Sequence, residues 1–146
     1  MAESIEYNLS SIELLEKFIH PAWDKTFVSV EELLWQFSFS FTFTNHPGKK
    51  KGVCPAISYQ LYNINDEEQK SITLFKIESR FTVTREISPT DKLDVLNKFL
   101  DITLWNLQGI YAEKTAGTRL ADSLPPPTDM TEHQEFLKEL IADEWR

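Results

Sequence analysis

The clearest pattern along the chain is a strict alternation between residues 34 and 44. Aromatic side chains occupy every second position, and Gln, Ser or Thr stand between them. Because successive side chains of a strand point to opposite faces, this pattern predicts a strand with one apolar and one polar face. Strands of parallel sheets are usually apolar on both faces, so the alternation favours an antiparallel sheet with one side in water. The aromatic positions are Trp35, Phe37, Phe39, Phe41 and Phe43.

Two more strands are predicted downstream, from Val53 to Ile64 and from Ser71 to Ile87. The second is longer than the usual strand of about 5 to 6 residues, so a bend or bulge is expected near Ser79. The apolar positions of residues 11–23 fit either a short helix or an irregular strand, and the type of this first element stays open. The whole pattern indicates an antiparallel sheet of about four strands.

The apolar period changes from two to 3.6 at Ser88, which marks the start of a long helix reaching at least Tyr111. Ser88 is a suitable cap, Pro89 suits the first turn, and Asp91 interacts favourably with the positive end of the helix. The helix carries two neighbouring apolar stripes, more than one covered face needs. We expect one stripe to pack on the sheet and the other to contact a second copy in a homodimer or homotetramer. The predicted subunit-contact residues are Val95, Phe99, Ile102 and Ile110.

A proline-containing crossover and a short last helix complete the predicted fold. Ala116 and Gly117 interrupt the helix, and residues 120–129 include Pro125, Pro126 and Pro127, which favour an extended segment. A capping box, either Asp129 with Glu132 or Thr131 with Gln134, is expected before the last helix. The sequence therefore predicts a single α+β domain over residues 1–146.

Composition narrows the class of protein. A chain of 146 residues is long enough to bury one core. Its net charge of -8 repels phosphate, so neither nucleic acid nor an anionic membrane is an expected partner. The basic cluster at 49–51 is interpreted as a solvated hairpin loop. The acidic N-terminus lacks the features of a secretion signal, and a cytoplasmic location is expected.

The sequence offers no recognisable catalytic or cofactor motif. It contains no glycine-rich phosphate loop and no HExxH or GxSxG pattern, and Cys54 is a single cysteine. His20, His46 and His133 fall on different predicted elements, and the carboxylates occur in adjacent runs whose side chains diverge. We therefore predict no catalytic residue, no metal ligand, no cofactor and no enzymatic activity.

The aromatic face of the 34–44 strand must be covered. Burial of its five rings is worth on the order of 20 kcal/mol as an upper bound. The simplest interpretation is that the long helix covers most of this face as core. A second hypothesis is that part of it, together with the neighbouring strand and the crossover, lines a groove for unfolded polypeptide. The predicted client contacts are Trp35, Phe37, Tyr59, Tyr62, Leu120 and Leu124.

The order of these elements resembles the SecB family of protein-export chaperones. The strand that begins at Trp35 is similar to a family strand, as are residues 74–78 followed by 81–83. Gln108-Gly109 and the run 124–129 resemble the family's region before its final helix, where Gln108 stands in place of the usual arginine. The resemblance covers roughly residues 10–142.

This resemblance implies a nucleotide-independent holdase that binds unfolded clients, either an export preprotein or an antitoxin in a toxin-antitoxin system. The family's flexible tail is almost absent, so an export ATPase is not an expected partner. The acidic surface favours clients with basic, aromatic stretches. Two alternatives stay open. One is a small-molecule-binding or enzymatic α+β domain with Tyr59, Tyr62 or Trp105 as ligand contacts. The other is a subunit dedicated to one antitoxin or other partner.

Overall fold

Four strands of 13 residues form one antiparallel sheet in the part of the chain that the computed structural model describes, residues 6–21, 32–68, 70–126 and 130–145. They are β1 (Tyr7–Ile19), β2 (Leu33–Asn45), β3 (Lys51–Asn63) and β4 (Ser71–Val83). Their order in the sheet is β1-β4-β3-β2. The predicted α+β class is confirmed, and the first element, whose type the sequence left open, is a strand. β4 ends at Val83 rather than Ile87.

The β2–β3 hairpin is regular over its whole length. Its register runs without a shift from Leu33 opposite Asn63 to Asn45 opposite Lys51. Gly48, with a φ of 76°, makes the tight turn between the strands. Because β3 begins at Lys51, that side chain is part of the sheet and only 8% exposed. The interpretation of the whole basic cluster as a solvated loop is therefore wrong for Lys51.

The sheet has three register shifts, one of them between Leu61 and Tyr62 of β3, and the bulge expected near Ser79 has its extra residue in the partner strand β1, opposite Phe81 and Arg80. β4 keeps one register with β3 through this region, and its pairing with β1 shifts between Leu9 and Ser11 and again between Leu14 and Glu16. The buried hydroxyl of Ser79 accepts a hydrogen bond from Thr103 Oγ1 at 2.9 Å. The polar side chain thus has a partner on the helix.

Helix α1 (Pro89–Thr115) packs on β3 and β4. Its predicted start is confirmed, since Ser88 Oγ accepts a hydrogen bond from the Asp91 amide at 3.2 Å. Where the helix crosses β4, the rings of Phe81 and Phe99 stack with centroids 3.8 Å apart. The core therefore lies between α1 and the two central strands.

A crossover and helix α2 (Gln134–Glu144) follow α1. The crossover contains a short helical turn, Arg119–Asp122, whose Leu120 is buried. Of the two predicted capping boxes, the first includes Asp129, which lies outside the described residues. In the second, the Gln134 side chain donates to Met130 O and Asn97 Oδ1, and the residue before α2 is His133, whose side chain makes no capping bond. A turn of tighter helix, Met130–His133, leads into α2 instead.

Candidate functional site

The aromatic face of β2 is only half-buried, because α1 lies mainly over β3 and β4. Its five rings are of intermediate exposure, and the Gln, Ser and Thr residues between them are exposed. A helix about 10 Å wide spans two strands spaced about 4.8 Å apart, and α1 occupies that width on β3 and β4. β2 is at the edge of the sheet, beyond this cover. The expectation that the long helix buries these rings as core is therefore wrong in extent, since Tyr111 of α1 contacts Trp35 with ring centroids 5.2 Å apart but all five rings stay partly exposed.

The five rings of β2 form a continuous surface that we call the aromatic strip (Trp35, Phe37, Phe39, Phe41 and Phe43). Successive ring centroids from Phe37 to Phe43 lie 5.6 to 6.2 Å apart. Eight residue steps of about 3.3 Å give the strip a length of about 26 Å. This is long enough to contact an extended segment of roughly eight or nine residues.

The crossover and α2 run beside the strip in the same direction as β2. At its start, Trp35 Nε1 donates a hydrogen bond to Ser123 Oγ at 3.2 Å. In the middle, Phe39 contacts the rings of His133 and Phe136, with centroids 5.3 and 5.8 Å away. At its end, Phe43 lies 5.9 Å from Trp145. The strip therefore has a wall along one side, and two large apolar side chains of that wall, Leu124 and Phe136, are each 50% exposed.

The backbone of β2 is also available on one side. Among the described residues, β2 pairs with β3 alone. Its sequence contains no charged residue and no proline, and its pairing contains no bulge. Natural proteins normally use charged residues, prolines or bulges to prevent another strand from adding to an edge, and β2 has none of the three. Within the described part of the chain, β2 therefore combines apolar rings with a backbone edge that has no second strand partner.

The six predicted client contacts fall into three groups. Trp35, Phe37 and Leu124 lie at the strip or its wall. Tyr59 and Leu120 are each 1% exposed. Tyr59 lies beside the strip, with its ring 5.1 Å from that of Phe37, and its OH donates to Pro126 O at 2.7 Å. Tyr62 lies opposite Leu34, on the other face of the sheet. The structure brings together the first two groups and separates Tyr62 from them.

Several members of this surface were not predicted as contacts. Phe39, Phe41 and Phe43 belong to the same alternation that identified Trp35 and Phe37, so the pattern itself contained the signal. Phe136 could have been found because it is the first apolar position of the last helix. They were not predicted as contacts because the long helix was expected to cover this strand.

The four predicted subunit-contact residues fall into a buried pair and a half-buried pair. Val95 and Phe99 are 1% and 0% exposed and pack inside the core of their own chain. Ile102 and Ile110 are half-buried at the margins of the core. Large apolar side chains that are exposed lie instead on β1, where Leu9 and Leu14 are 42% and 37% exposed. They lie opposite Phe81 and Ile77, so they share the helix side of the sheet.

The three side chains predicted to contact a small molecule do not form one site. Tyr59 and Tyr62 lie on opposite faces of the sheet, and Trp105, on α1, is 66% exposed, so the three predicted small-molecule contacts do not share a pocket. A cavity of about 560 Å³ lies instead between the first turn of α1 and α2. Burial, aided by the Glu78 carboxylate, raises the pKa of the Cys54 thiol, which lowers its reactivity. Burial also raises the pKa of Tyr111.

No group of three or more His, Cys, Asp or Glu side chains in the described ranges could hold a metal ion. Within the same ranges, no helix has the length and apolar character needed to cross a membrane.

Comparison with known proteins gives limited information. No protein-family model matches the sequence, and no curated protein matches it. Among solved structures, the chain is similar to the Mycobacterium tuberculosis Rv1957 SecB-like chaperone in complex with a ChAD peptide from the Rv1956 HigA1 antitoxin. The identity is 18%, the similarity covers 84% of this chain and 88% of that chain, and the TM-score is 0.45. Because this TM-score is below 0.5, the proposals below rest on the geometry of the chain itself.

Proposed function

We propose that this protein is a nucleotide-independent holdase that binds extended, apolar polypeptide segments along the aromatic strip. The observation that supports the proposal is the half-exposed row of five rings on a regular, uncharged edge strand. A strand of the client adds to the open edge of β2, and its apolar side chains contact the strip and the wall formed by Leu124 and Phe136. Backbone pairing gives affinity for any sequence, and the rings select apolar side chains.

The chemistry of the surface favours binding over catalysis. Rings offer a large contact area, with about 25 cal/mol gained for each Å² of apolar surface that leaves water. The side chains of the strip carry no nucleophile and no titratable group. The acidic remainder of the chain, with a net charge of -8, keeps molecules with such a surface apart from one another.

We also propose that the protein self-associates through the helix side of β1. Leu9 and Leu14 are exposed there, and half-buried Ile102 extends the apolar surface onto α1. Of the four predicted contact residues, Ile102 and Ile110 are the two whose side chains a second subunit can reach. The aromatic strip belongs to the opposite edge of the sheet, so client binding and self-association use separate surfaces.

The test of the holdase function is suppression of aggregation. An unfolded client is diluted from denaturant into buffer without nucleotide, and light scattering is followed at increasing concentrations of this protein. We expect suppression by the wild type and by the double variant S38A/S40A, which changes the polar face of β2. The variant F39S/F41S should fail to suppress aggregation. Equal suppression by both variants, or none by the wild type in excess, contradicts the proposal.

A further inference from the structure

A pocket of about 300 Å³ opens where the aromatic strip ends, and basic side chains line it. They come from the turn after β2, the start of β3, the connection before α1 and the first turns of α1, and they are Lys50, Lys51, Arg85 and Lys92. Glu86 also lines the pocket. Four of the 15 Lys and Arg residues therefore converge at one place on a chain with a net charge of -8. The local charge is opposite to that of the whole protein.

Two of these ammonium groups are held by neutral acceptors. Lys51 is 8% exposed, and its Nζ donates a hydrogen bond to Asn45 Oδ1 at 2.9 Å. Lys92 Nζ donates to Trp145 O at 3.0 Å. An ammonium group has three donors, and burial makes an anionic acceptor more valuable than it is in water. Each group therefore has donors left for an anion that enters the pocket.

The pocket and the aromatic strip share a wall. Phe43, the last ring of the strip, lies 5.9 Å from Trp145 and 6.0 Å from Lys51 Nζ. The Trp145 ring in turn lies 5.6 Å from Lys92 Nζ. An extended segment that follows the strip from Trp35 to Phe43 therefore arrives at the basic side chains without leaving the surface.

We infer that this pocket binds a side-chain carboxylate of the client, placed just beyond the apolar segment that occupies the strip; the inference rests on the proposed function. Charge complementarity selects the occupant, because the pocket is basic and adjoins an apolar surface. A single carboxylate next to apolar residues fits this combination, whereas a polyanion is repelled by the acidic remainder of the chain. The pocket also fixes how the client is placed, because one end of the bound segment must carry the acidic residue.

The experiment uses peptides of about ten residues that alternate Leu and Ser, with acetylated N-termini and amidated C-termini. The two peptides of the first pair differ at one end, where one has Glu and the other has Gln. The two peptides of the second pair differ in the same way at the other end. Binding to the full chain is measured by calorimetry at low salt. We expect one end to show on the order of tenfold tighter binding for Glu than for Gln, the size expected for a charge-assisted hydrogen bond. The other end should show no difference.

Matched variants locate the effect. In the double variant K50Q/K92Q the affinity ratio of the Glu and Gln peptides should fall at least about threefold, because two of the four basic side chains are removed. The variant K17Q removes the same kind of charge from exposed β1 and should keep the ratio. Circular dichroism checks that each variant is folded. A ratio that does not fall in K50Q/K92Q overturns the inference.

Other outcomes separate the inference from the function on which it rests. If the Glu and Gln peptides of each pair bind the wild type with equal affinity, the carboxylate pocket is wrong and the holdase proposal stands. If neither peptide binds at all, the proposed function fails first. A further peptide has Gln and a free C-terminus. If it binds more tightly than the amidated Gln peptide while the amidated Glu peptide does not, the assignment to a side-chain carboxylate is overturned. An oligonucleotide that binds the wild type but not K50Q/K92Q, with equal peptide affinities, would overturn it in favour of phosphate.

Discussion

The two edge strands of the sheet differ in how each meets a partner. β1 contains two bulges and the charged residues Glu13, Glu16 and Lys17. β2 contains neither bulge nor charge. Bulges and charges disfavour the addition of another strand, so β1 is protected against backbone pairing, whereas β2 lacks these features. A partner at β1 must therefore rely on side-chain contacts such as Leu9 and Leu14, whereas a partner at β2 has backbone groups and rings together.

The largest effect is expected in the core between α1 and the sheet. Phe99→Ala removes a ring that stacks on Phe81 and contacts Tyr7 of β1, and it should cost about 3 to 5 kcal/mol of the free energy of unfolding. Phe39→Ala, on the half-exposed strip, should cost about 1 to 2 kcal/mol. Urea denaturation of both variants measures the difference. Equal losses would mean that the strip is as much a part of the core as α1.

The next effect concerns the β2 surface. Phe41→Asp places a charge in the middle of the aromatic strip, and it should weaken binding of an apolar peptide by on the order of a hundredfold. Thr42→Asp, on the polar face one residue further, is the matched control and should weaken it less than threefold. Fluorescence anisotropy of a labelled peptide gives both affinities. Loss of binding in the control would place the client on the opposite face of the sheet.

The β1 surface is tested by self-association. Leu14→Lys adds a charge to the exposed apolar side of β1 and should raise the dissociation constant of the oligomer by on the order of tenfold or more. Glu13→Lys, on the adjacent position that points to the other face, is the control. Light scattering over a concentration series measures both. A wild type that is monomeric at micromolar concentration would contradict the proposed assembly.

The smallest expected effect is a dependence of stability on pH through Tyr111, whose ring contacts Trp35 of the strip. Tyr111 OH donates to Leu120 O at 3.0 Å, and burial raises the pKa of this phenol above its unfolded value of about 10. The folded state therefore keeps a proton that the unfolded state releases, so stability is fully present below about pH 10 and falls as the pH rises above it.

Tyr111→Phe provides the check. It should cost about 1 kcal/mol at pH 8 through loss of the hydrogen bond, and it should lose stability less steeply than the wild type between pH 9.5 and 11. Urea denaturation across this range measures both slopes. Identical slopes would mean that Tyr111 does not titrate on unfolding in this range.

The sequence predicted those features that local patterns determine. The alternation at 35–43 identified β2, and Ser88 with Pro89 identified the start of α1. β1 stayed ambiguous because the extra residues of its two bulges, at Ser10 and Leu15, break the alternation that would have marked it as a strand. The SecB-like order of sheet, long helix, crossover and short helix was predicted and is present in the structure.

The site was harder to predict, because it depends on which strand lies at the edge. Nothing in the pattern of Phe39 or Phe41 shows whether a helix covers the strand, and α1 lies mainly over β3 and β4. The burial of Val95 and Phe99 likewise depends on how α1 is rotated against β4. Lys51 looked solvated because its neighbours in sequence are polar, whereas its partners Asn45 and Phe43 are brought near by the hairpin.

The strand order has a consequence for synthesis. β2, β3 and β4 are consecutive hairpins, so they can pair as soon as each emerges from the ribosome. β1 pairs with β4, which lies more than 50 residues later, and so the N-terminal strand waits without its partner until residue 83 has been made. Closing that long loop is slow compared with forming the hairpins. Charges and bulges in β1 therefore protect the nascent chain at the stage when this strand has no partner and the β2 edge is already formed.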